Sequence, residues 1–117
     1  MKYYKIIGVL IILLIITNYI NNKFVNKNWY SDGNLHKSNI NEWKNADKKN
    51  KLATCADFVS KFKASKGEKY NSNINMKADA IYLKNCIDEA TINESSNETK
   101  ISEIAALCIL IKFEETN

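Results

Sequence analysis

The sequence predicts an all-α protein: a transmembrane signal-anchor helix, then a small bundle of three main helices plus a short leading one. Three observations lead there. Proline is absent and only three glycines occur in 117 residues, so long helices meet few breakers. Apolar residues in the body recur at spacings of three and four, the helical period. An apolar run from Ile6 to Ile16, without an acidic residue, stands at the N-terminus. These divide the chain into an anchor at 1–22, a tether at 23–38 and a helical domain at 39–117.

Lys2 and Lys5 precede the apolar run, which is the layout of an export signal. The stretch after Ile16 reads Thr17-Asn18-Tyr19-Ile20-Asn21-Asn22, with no small-residue cleavage site and no lipid-accepting cysteine. As a helix, residues 3–20 would reach about 27 Å. That approaches the roughly 30 Å of a bilayer's hydrocarbon core. Tyr3, Tyr4 and Tyr19 would stand at its interfaces. The expectation is an uncleaved anchor in the inner membrane. If the signal is cleaved, the protein is secreted. Lys2 and Lys5 favour a cytoplasmic N-terminus against Lys23 and Lys27 on the other side, which places the domain in the periplasm or outside the cell.

The stretch NNKFVNKNWYSDGNLHK after Ile20, most of it the tether, carries Phe24, Trp29, Tyr30 and Leu35, too apolar for a plain linker, and some of these are expected to pack back on the domain. Asp32-Gly33 signals a turn. Asn39 and Glu42 have capping-box spacing for a short helix with Ile40 and Trp43 on its apolar edge. Asp47 is placed to cap the next helix, whose stripe is Leu52, Cys55, Ala56, Val59 and Phe62. Gly67 ends it. A third helix is expected from about Met76 to Thr91, with Ala78, Ile81, Tyr82 and Cys86 on one side and Leu83, Ile87 and Ala90 widening that face toward two neighbours. The last, about Lys100 to Phe113, is apolar over most of its surface and is expected at the centre of the domain.

All 17 basic residues are lysines and the net charge is only +4. A nucleic-acid reader would use arginine for bidentate base contacts, so no nucleic-acid partner is expected. Residues 44–69 carry eight lysines against three acids, and residues 70–117 four against eight. The split reads as mutual attraction or solvated faces, with an anionic partner as the functional alternative.

Cys55, Cys86 and Cys108 lack zinc or redox spacing, and His36 is the only histidine. No glycine-rich phosphate loop and no convergent acid, base or nucleophile stands out. Neither an enzyme nor a cofactor, metal or small-molecule substrate is expected. The cysteines read as a staple. In an antiparallel helix pair, residues equidistant from the turn lie side by side. With turns centred near Tyr70 and Asn97, Cys55 faces Cys86, and Cys86 faces Cys108. All three then share a layer and only two can pair. Cys55–Cys86 is the predicted bridge. Cys108, in the most apolar stretch, is the predicted buried thiol.

The stretches LHKSNINEWKNADKKNKLATCADFV, CIDEAT and SEIAALC resemble small exported bacterial helical proteins, a similarity over most of residues 34–110. That resemblance implies export and a helical fold but carries no activity. TCADF alone is similar to periplasmic acid-stress chaperones. The function expected is a non-enzymatic, membrane-anchored interaction or scaffold module of the envelope, meeting an envelope protein through Trp29, Tyr30 and Trp43. The alternative is a disulfide-stapled periplasmic stress chaperone.

Overall fold

The computed structural model describes residue 5, residues 7–16 and residues 28–114. Residues 7–16 are helical, and their large side chains are exposed. Among the described residues no helix is long and apolar enough to cross a membrane. The expected span at 3–20 also takes in residues 3, 4, 6 and 17–20, which lie outside the described set, as do Phe24 and the start of the tether.

The domain is helical, with α1 at Ile40–Asn45, α2 at Lys48–Ser65, α3 at Asn73–Thr91 and α4 at Ile101–Glu114. The helix starts follow local chemistry. The Asn39 side chain accepts from the Glu42 amide while the Glu42 carboxylate accepts from the Asn39 amide, so the capping box forms. Asp47 caps α2 by accepting from the Asn50 amide at 2.7 Å. α2 ends in a Schellman motif: the Glu68 and Gly67 amides donate to the carbonyls of Lys63 and Ala64. The left-handed turn needed there falls on Gly67, at φ 73°. α3 begins three residues before the expected Met76, because Ser72 caps it through the Asn75 amide.

α3 is the middle element and packs against α1, α2 and α4. Its buried face is Met76, Ala80, Leu83, Ile87 and Thr91, so Leu83 and Ile87 of the expected face are core while the stripe led by Ala78 and Ile81 is not. Ala78 and Ile81 are exposed. From Met76 to Thr91 this face runs about four turns. Opposite it lie Cys55, Ala56 and Val59 of α2, and Ile101, Ala105, Cys108 and Ile109 of α4.

The expected central position of α4 is corrected. α4 packs on α3 and touches α2 at the Phe62–Phe113 ring pair, 5.2 Å between centroids. Its other half faces outward. In a three-helix bundle each helix has only two large neighbours, so a helix apolar all round leaves part of its surface uncovered.

The apolar residues of the tether pack back on the domain as expected, with Leu35 in the core and Trp29 and Tyr30 against it. Leu35 and Ser38 are buried. The Leu35 amide donates to Thr54 Oγ1 at 3.2 Å, and Asn34 and Asn50 exchange two hydrogen bonds. Asp32 turns the chain at φ 67°, and Gly33 then lies so close to the α2 backbone at Ala53 and Thr54 that a Cβ would collide with it. The polar 92–99 loop is stitched to α1, with the Ser95 hydroxyl and Ser96 amide donating to Asn41 Oδ1. An isolated antiparallel bridge between Asn39 and Lys100 joins the starts of α1 and α4.

Candidate functional site

The predicted disulfide is corrected. Cys86 is bonded to Cys108, with Cα atoms 6.1 Å apart, and Cys55 is the free, fully buried thiol. Two geometric facts decide it. The α2–α3 turn centres on residue 69, so Cys55 stands 14 residues before it and Cys86 17 after. That offset is about 4.5 Å along the axis. Rotation also matters. The charges that Cys55 senses are those of Asp88 and Lys84. On α3 those residues lie about 160° around from Cys86. Cys55 therefore meets one flank of α3 while Cys86 points from the other, toward α4.

The thiol of Cys55 is enclosed by the core. Burial, reinforced by the Asp88 charge, pushes it up to about 12, so it stays protonated at any physiological pH.

Asp88 is the hub of the α2 flank. It accepts from the Trp43 indole at 2.9 Å and from Lys84 Nζ at 2.6 Å, and Lys51 Nζ lies 3.6 Å away. Partial burial alone would raise its carboxyl. The Lys84 and Trp43 hydrogen bonds and the nearby lysine charges outweigh that and hold it below the usual carboxylate range. Trp43 itself is 0% exposed. Its predicted role on an interaction surface is thus corrected: a residue on the apolar edge of a short helix must turn inward for that helix to be held. Trp29 and Tyr30 are half-buried, edge to face with each other at 5.4 Å, and Lys77 sits over the Trp29 ring. They pack on the core rather than standing free.

Two smaller polar clusters lie elsewhere on the fold. His36 Nε2 donates to Asp57 at 2.9 Å, with the His36 ring edge-on to Phe58. The Tyr70 hydroxyl donates to Asp79 at 2.7 Å, and burial together with that carboxylate raises the phenol. Lys112 reaches Asp79 at 3.5 Å and lies over the Tyr82 ring. Among the described residues no cluster of three or more His, Cys, Asp or Glu side chains is placed to hold a metal ion.

What stands open is the outer half of α4. Leu107 is 62% exposed, Ile111 54% and Leu110 43%. Beside them runs a groove of about 420 Å³ between α3 and α4, with Ile104, Leu107 and Ile111 on one wall, Ala90 on the other, and the Cys86–Cys108 bridge beneath. Sequence reasoning missed this surface. Its signal was present in the all-round apolarity of IAALCILI, which was read as centrality. No protein-family model, curated protein or solved structure matches this chain.

Proposed function

We propose that this is a non-enzymatic, membrane-anchored interaction module of the cell envelope, and that its working surface is the α3–α4 face. The observation that carries the reading is the contiguous apolar stripe of Leu107, Leu110 and Ile111 beside the groove. Exposed apolar patches rimmed by polar residues mark interaction sites. The polar groups elsewhere support a structural rather than a catalytic use. Asp88 and Asp79 are held by several partners each, and the Cys55 thiol is protonated and enclosed. The Lys-flanked apolar N-terminus supports an inner-membrane anchor through residues 3–20. The Cys86–Cys108 bridge supports a domain in the periplasm or outside the cell, where disulfides persist. Resemblance to small exported helical proteins accords with both.

A photo-crosslinking residue at position 107, in cells expressing the full chain, tests the reading. A discrete adduct with one envelope protein is expected, and none from position 61 on the opposite helix. Equal labelling from both positions, or no adduct at 107, would sink it. The placement fails if carbonate releases the protein from membranes, or if external protease leaves it intact in spheroplasts.

The same open α4 face favours one second reading, an envelope stress chaperone that holds unfolded clients on apolar surface. A chaperone suppresses aggregation of several unrelated clients at low pH. An interaction module does not.

A further inference from the structure

We propose that the α3–α4 groove receives a cationic amphipathic helix, that is, an apolar stripe flanked by lysine or arginine. This names the partner chemistry of the surface identified above and rests on that reading.

The apolar wall has a helical repeat: Ile104, Leu107 and Ile111 stand three and four residues apart. From Ile104 to Ile111 is about 10 Å, two turns of a partner helix. A groove of this kind suits a ligand that presents apolar side chains at the same spacing. No strand edge is present among the described residues to hold an extended peptide.

The rim sets the sign. Glu94 lines the groove, and Glu89 borders the adjoining hollow that shares Cys86. On α4, Glu103 lies one turn before Leu107, and Glu114 one turn after Leu110. None of these four carboxylates has an ion pair among the described residues. The nearby lysines do not cancel them. Lys112 is turned to Asp79 and Tyr82, and Lys44 donates to the main-chain carbonyl of Glu94. Lys44 and Lys100 both stand exposed without an ion pair, so the rim carries four carboxylates against two lysines and stays net negative.

The same charges argue against two other occupants. If two copies paired along α4, Glu103 and Glu114 would meet carboxylates in either orientation. An anionic lipid surface would be repelled by the rim. A partner with basic residues at the ends of an apolar helix meets attraction at both ends.

The test uses the full chain in zwitterionic phosphatidylcholine nanodiscs and two labelled helical peptides of about 15 residues. One is amphipathic with leucine and lysine, and the other has the same pattern with glutamate for lysine. The Leu/Lys peptide should bind, with affinity falling as salt rises, and the Leu/Glu peptide should not. Leu107→Ser with Ile111→Ser should weaken binding about tenfold. Glu103→Lys should weaken it about threefold, and the remote Glu68→Lys should leave it unchanged. Equal binding of both peptides overturns the charge argument, as does a loss with Glu68→Lys equal to that with Glu103→Lys. Binding indifferent to Leu107→Ser and Ile111→Ser overturns the site. A Leu107-dependent dimer in light scattering replaces the helix with a second copy. If position 107 still crosslinks to one envelope protein while the Leu/Lys peptide fails, only the partner chemistry is wrong. If both fail, the interaction module falls with it.

Discussion

The two flanks of α3 are held in different ways. On the α2 flank, Trp43 of α1 and Cys55, Ala56 and Val59 of α2 are fully buried, and Asp88 ties α1, α2 and α3 through Trp43, Lys51 and Lys84. A cysteine is present there and remains a thiol. On the α4 flank, α4 buries Ile101, Ala105, Cys108 and Ile109 but leaves Leu107, Leu110 and Ile111 exposed, and a covalent bond crosses it. Where packing and a satisfied polar network already order two helices, sulfur serves as filler. Where a helix turns half its apolar surface to solvent, the disulfide supplies what burial does not.

The sharpest way to break this contrast is to empty the α2 flank. Trp43→Ala removes the largest buried side chain and a hydrogen bond to Asp88, and should cost about 3–5 kcal/mol in urea unfolding. A smaller cost than that of losing the disulfide would show that the α2 flank is not the better packed. Opening the α4 flank comes next. Cys86→Ala and Cys108→Ala remove the same 22-residue crosslink. Each should cost about 3 kcal/mol in the chain-entropy account, with equal effects. A non-reduced digest should yield the Cys86–Cys108 peptide, and a Cys55-linked peptide would reverse the assignment.

The hub gives a pH signature. The folded Asp88 carboxyl binds its proton less readily than the unfolded one, so its stabilisation is complete at neutral pH. It is lost as pH falls below roughly 4 and through the lower folded value. Asp88→Asn should cost about 2 kcal/mol at neutral pH. It should also flatten the acid limb of the stability profile. An unchanged acid limb would mean that another carboxylate drives the loss.

Cys55→Ala should cost about 1 kcal/mol, that of a small buried group. At mildly alkaline pH the native Cys55 should resist thiol reagents and react only on unfolding. Rapid labelling would contradict the enclosed thiol. Least of all, Leu107→Ser should change stability by less than about 0.5 kcal/mol, since its side chain already faces solvent. A larger loss would mean that the α4 face is core.

The sequence by itself determined whatever depends on neighbours a few residues apart. Asn39 with Glu42, Asp47 and Gly67 mark helix ends because each meets backbone groups within one turn. The α2 stripe was legible for the same reason: periodicity is local. Ser72 carried the same kind of signal for α3, but the stretch after Gly67 reads as loop until the cap is seen made. Which cysteines pair, which face of α3 is buried, and whether α4 lies inside or outside were decided by tertiary structure alone. An offset of three residues and a rotation of less than half a turn separate Cys86 from Cys55 and join it to Cys108. Trp43 shows the same dependence, since only the fold brings Asp88, 45 residues away, to its indole. Such offsets and rotations are set by how side chains of distant helices interlock, and no spacing along one helix encodes them.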